Sequence, residues 1–112
     1  MNKNPLYETK LTTLQENILL ELDKTMNFPF IYKKLNIKPI TLTKIISLLV
    51  EKNLISDNQL SDTGKKMVHY ITFKNETISS FLNKYKIAPS DEIINQMNSL
   101  DHKIIIALRN LL

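Results

Sequence analysis

A chain of 112 residues and 13.0 kDa has room for one compact domain, or one domain with a helical appendix. Hydrophobic residues make up 43% and charged residues 23%, the balance of a globular protein and not of a disordered one. The absence of cysteine excludes a disulfide framework and any thiolate metal site. No apolar run approaches the ~20 residues of a membrane span. The stretch Met1 to Lys10 is polar and mixed in charge, unlike a secretory signal, so the expected location is the cytoplasm with no membrane partner.

One glycine, Gly64, and four prolines leave few chain breakers, which disfavours an all-β fold and a glycine-rich phosphate loop. The histidines are His69 and His102, and there is no Gly-x-Ser-x-Gly, so a nucleophile, base and orienting group are hard to assemble. An enzyme is not expected. The net charge of +4 points towards nucleic acid, although arginine contributes only Arg109 and lysine the rest.

In chain order, Leu11, Leu14, Ile18, Leu19 and Leu22 recur at three- and four-residue steps, which predicts a first helix from about Leu11 to Lys24. Asn27 and Pro29 are expected to break it. Phe30, Ile31 and Leu35 mark a short second helix with Lys33 and Lys34 outside. Asn36-Ile37-Lys38 is a tight connection, and Pro39 suits the first position of a third helix. That helix reaches about Lys52 with Leu42, Ile45, Ile46 and Leu49 inward, and Asn53 stops it. Leu54 to Ser56 and Gln59 to Ser61, around Asp57-Asn58, read as a small β-hairpin. Ser61 or Thr63 caps a long fourth helix reaching about Tyr85, with Met67, Val68, Ile71, Ile78, Phe81 and Leu82 on its apolar side. Lys86 to Pro89 is a linker. Ser90 caps a fifth helix, with Asp91 and Glu92 where the helix dipole favours acids and Ile93, Ile94, Met97 and Leu100 inward. Lys103 to Leu112 forms a last apolar helix or continues the fifth.

Helix, short helix, turn, helix and hairpin is the order of a winged helix-turn-helix. The expected fold class is therefore all-α with a small β-hairpin wing. A DNA-binding domain would span 1–62 and a C-terminal helical dimerisation segment 63–112. The third helix would offer Thr41, Thr43, Lys44 and Ser47 to the major groove, with Lys38 just ahead of it. Lys33, Lys34, Lys65 and Lys66 are phosphate candidates. With no arginine among them the commonest bidentate guanine contact is missing, so an AT-leaning site is expected. The wing turn Asp57-Asn58 carries no cation and should add little backbone affinity.

The run NIKPITLTKIISLLVEKNLI followed by LSDTGKKMVHYI resembles the helix-turn-helix and wing exit of the iron- and manganese-dependent transcriptional repressors, the DtxR/MntR family. The later segment ETISSFLNKYKIAPSDEIINQMNSLDHKI resembles that family's dimerisation segment, a helix ending in Phe-Leu, a linker, and a helix closing on an acid-His pair, here Asp101-His102. The likeness runs from about Leu11 onward, in a short form without an SH3-like third domain. It implies a homodimeric repressor bound to a pseudo-palindromic double-stranded DNA site, with manganese or iron(II) as cofactor and Asp101 and His102 among the ligands. The departures are specific. Asn75 stands where the family has a histidine ligand, Asn98 stands where it has an acid, and only Glu16 approaches its early acidic ligands. Neutral asparagine oxygens are weaker ligands than carboxylates and imidazoles, so DNA binding largely independent of divalent metal is expected. His69 reads as a surface or packing histidine.

Ile104-Ile105-Ile106 makes the last helix apolar all round, which calls for cover on several sides. Ile104, Ile105, Leu108 and Leu111 are the residues expected at a two-fold dimer interface, which would also space two reading helices about one DNA turn apart. The alternative function is a winged-helix protein-interaction module without sequence-specific DNA binding.

Overall fold

The computed structural model describes residues 10–112; of the polar stretch Met1 to Lys10, all but Lys10 lies outside them. The described residues form six helices and one two-stranded antiparallel hairpin, in the order α1 (Thr13–Lys24), α2 (Phe28–Lys34), α3 (Pro39–Glu51), β1 (Ile55–Ser56), β2 (Gln59–Leu60), α4 (Asp62–Lys84), α5 (Asp91–Asn98) and α6 (His102–Asn110). Two compact units result, one of residues 14–68 and one of 69–112 with residues 10–13. The division falls inside α4, between Val68 and His69.

Side-chain caps account for several boundaries. Asn27 accepts a hydrogen bond from the Phe30 N–H at 3.1 Å and caps α2, so Pro29 lies inside the first turn of that helix. The first helix ends at Lys24 ahead of Asn27 and Pro29, and in the first turn of the next one the missing proline N–H has no helical partner to lose. Pro39 opens α3 as expected. Ser61 Oγ accepts from the Gly64 N–H at 2.9 Å and Ser90 Oγ from the Ile93 N–H at 3.2 Å, so serines start both α4 and α5.

Three helices end in one motif without glycine. After α2, α3 and α4, residues Asn36, Asn53 and Lys86 take φ of 54°, 61° and 55°. Each donates its N–H three residues back, and Ile37, Leu54 and Ile87 donate five residues back to Tyr32, Leu49 and Leu82. Paired bonds of this kind define the Schellman cap. The apolar residue after each left-handed position turns back onto the helix it has just left. The hairpin is equally tight. Ile55 pairs with Leu60 and Ser56 with Gln59, and Asp57 and Asn58 both have positive φ, the requirement of a type I′ turn.

The first unit buries Ile18, Leu19 and Leu22 of α1, Ile31 of α2, Leu42 and Leu49 of α3, then Leu54, Ile55, Leu60, Met67 and Val68. Gly64 permits the close entry of α4: a Cβ built there would stand 2.1 Å from the Leu54 carbonyl oxygen, which accepts the Ser61 N–H. The second unit closes on Ile78, Leu82 and Ile105, with Phe73, Phe81, Ile93, Met97, Leu100 and Leu108 packed around them. The fifth and sixth helices are separate, divided at Ser99–Asp101. No helix among the described residues is long and apolar enough to cross a membrane.

Candidate nucleic-acid interface

Helix α3 divides cleanly by burial. At about 100° per residue, Leu42 and Leu49 point to one side, where they are buried, while Ile40, Lys44, Ser47 and Glu51 cluster on the opposite side and are exposed. Thr43 borders this outward stripe and is also exposed, whereas Thr41 sits on the flank and is half-buried, which weakens its expected place on the reading face. The Thr43 hydroxyl donates to the Pro39 carbonyl at 3.1 Å, an internal bond four residues back, so its proton is spent and its methyl and acceptor lone pairs are left for an outside partner. Lys38 precedes the first helical residue without a side-chain cap, and the first turn of α3 holds no acid. The positive end of the helix dipole and the Lys38 ammonium therefore share one end, where an anion is favoured.

The expected phosphate contacts separate into free and committed lysines. Lys33, Lys38, Lys44, Lys65 and Lys66 are exposed. Lys34 is committed: its Nζ lies 3.0 Å from Glu21, whose side chain is buried, and sits 5.8 Å above the Phe30 ring. The pair spans thirteen residues of sequence and ties α2 to α1. A buried carboxylate needs its cation, since removing one partner of such a pair is costly. Lys34 is thus held by the fold, with its side chain still 45% exposed. Arg109 stands 5.6 Å above the Phe73 ring in the second unit. His69 is exposed, as expected for a surface histidine.

Asp101 and His102 engage different partners. Asp101 begins α6 with its side chain 78% exposed and pairs with Lys10 at 3.5 Å. His102 is half-buried, with Nδ1 3.1 Å from the Tyr70 hydroxyl and its ring 5.5 Å from that of Tyr70. Among the described residues no three histidine or carboxylate side chains gather into a possible ion site. Asn98, one of the two asparagines at expected ligand positions, has a buried Oδ1 without a hydrogen-bond partner, which by itself suits a cation. Its own carbonyl, however, accepts from the Nζ of buried Lys74 at 3.1 Å. One neutral amide oxygen beside a carbonyl already taken by a lysine is a poor donor set for manganese or iron(II), so the residues do not fit either ion at this place.

The expected interface on the last helix is also revised. Ile105 is fully buried in the second unit's own core and Leu108 packs against that core, so the chain covers both. The physical reason is the turn at Ser99–Asp101, which lets α6 lie with α4 and α5 around one apolar centre. Ile104 and Leu111 stay 45% and 52% exposed, beside exposed Ile106 and Leu112. Lysine signals could not reveal the Glu21–Lys34 and Lys74–Asn98 ties, because each depends on which helices pack together. Comparison of the chain with protein-family models, with curated proteins and with solved structures finds no match.

Proposed function

We propose that the chain is a DNA-binding transcriptional regulator, a repressor, that uses α2 and α3 as a winged helix-turn-helix with the β1–β2 hairpin as its wing. The observation that carries the reading is the outward stripe of α3. It has an apolar face buried by Leu42 and Leu49, a polar face of Thr43, Lys44 and Ser47 left to solvent, and Lys38 at its positive end. A helix braced in this way can enter a major groove about 12 Å wide with its N-terminal residues at the base edges. Repression and a pseudo-palindromic site follow from the resemblance to the metal-dependent repressors, and homodimerisation draws support from the exposed Ile104, Ile106, Leu111 and Leu112. A two-fold dimer reads two half-sites related by the same symmetry.

The test is the salt dependence of binding to duplexes selected from a random pool. Lys44→Ala should weaken binding and reduce the slope of log K against log salt by about 0.9 per subunit if Lys44 touches phosphate. Thr43→Ala should change the selected sequence. Unchanged affinity and selectivity in the double variant would remove α3 as the reader. A second reading, a winged-helix protein-interaction module, is favoured by the exposed Phe28 and Phe30 on α2. It predicts no selection of any duplex.

A further inference from the structure

The most exposed large apolar side chain of the described residues is Ile40, at 59%, in the first turn of α3. It lies on the line of Lys44 and Ser47, where a solvated helix normally carries a polar residue. The next side chain beside it, Thr43, has its hydroxyl donated to Pro39 and so presents a methyl. The N-terminal half of the stripe thus carries the Ile40 side chain, the Thr43 methyl, one cation and the Ser47 hydroxyl; it lacks arginine, asparagine and glutamine, which leaves Lys44 as its one side chain able to bond the guanine edge. One feature of the major groove is apolar, the 5-methyl group of thymine. Lys38 and Lys44 flank the apolar groups with positive charge, whereas the acid of the stripe, Glu51, stands at the far end of the helix. This charge order favours a polyanion over an apolar protein surface at the N-terminal end.

We infer that Ile40, with the Thr43 methyl, reads thymine methyl groups in the major groove and is the specificity-determining residue of an A·T-directed site. The inference rests on the DNA-binding reading and adds to it the base feature recognised and the residue that recognises it. The contact is one of apolar packing, so its strength follows the methyl group and not the base-pairing edge.

The experiment compares binding of the full chain to a duplex of alternating dA and dT, to the same duplex with deoxyuridine in place of thymidine, and to an alternating G·C duplex. Deoxyuridine keeps the pairing and hydrogen-bonding edge but lacks the methyl. Wild type should bind the thymidine duplex about fourfold more tightly for each methyl contacted, the value of one buried CH2 group. Ile40→Ala should lose that preference while binding the deoxyuridine duplex as wild type does, and Ile40→Val should keep most of it. Lys44→Ala should weaken all three duplexes by a common factor. Circular dichroism establishes that the exposed substitution leaves the helices formed. Equal wild-type binding to thymidine and deoxyuridine duplexes, or an equal loss on both in Ile40→Ala, overturns the inference while leaving DNA binding in place. Failure to bind any duplex at low salt overturns both together.

Discussion

A glycine in the first turn of a helix is an unfavourable choice by propensity, costing about 1 kcal/mol relative to alanine. Gly64 sits there because of the Leu54 carbonyl, which a Cβ would meet at 2.1 Å. Backbone cannot yield as a flexible side chain does, so the clash outweighs the propensity gain. Gly64→Ala should destabilise the fold by about 2 kcal/mol, in the range of overpacked sites, read as a lower midpoint in denaturant. A midpoint at or above that of wild type would show that the α4 entry is loose. The same approach gives the Leu-Ser-x-x-Gly-Lys run its physical meaning. Ser61 caps the helix, donates to the Asn53 carbonyl at 2.6 Å, and sets the strand exit against the glycine two residues into α4.

Among the elements, α6 shows how a helix apolar on all sides can be divided between two roles. Ile105 fills the second unit's core while Ile104 and Leu111 remain outside. Ile105→Ala should therefore cost about 3 kcal/mol, as large-to-small core changes do, and melt the second unit whatever the oligomeric state. The double change Ile104→Glu and Leu111→Glu should keep the helices and convert a dimer to a monomer in sedimentation. A wild-type chain that stays monomeric at high micromolar concentration would remove the dimer from the proposed function. Asparagine suits a left-handed cap when glycine is scarce, because its short amide tolerates positive φ better than most side chains. Lys86 has no such advantage at φ 55°, and its position is held by the bonds of the two residues around the cap.

For the whole molecule, the donors around Asn98 bear on the metal dependence that the resemblance implies. An effector acts only through its unequal affinity for two states, and a divalent ion meets a buried ammonium at Asn98. Protein stripped with chelator should bind its selected DNA as well as protein given manganese. A gain of about tenfold or more on adding manganese, worth about 1.4 kcal/mol and abolished by His102→Ala, would establish a working metal switch. Replacing Lys74 by glutamine should lower stability through the lost bond to the Asn98 carbonyl at the α5 end.

What the sequence by itself determined is the set of helices, the hairpin with its Asp57-Asn58 turn, and the inward and outward faces of α3. Caps and turns are satisfied within a few residues, and an apolar stripe declares its direction by spacing alone. The small difference at the start of the first helix, Leu11 against Thr13, arises because a first turn needs few backbone bonds and tolerates several beginnings. Tertiary structure alone decided which lysines are spoken for and which isoleucines are covered. Glu21 and Lys34 are 13 residues apart, Lys74 and Asn98 are 24 apart, and Ile105 meets Ile78 and Leu82 across a turn. Such pairings are settled by how helices pack, and no local pattern distinguishes a lysine facing a buried carboxylate from one facing solvent.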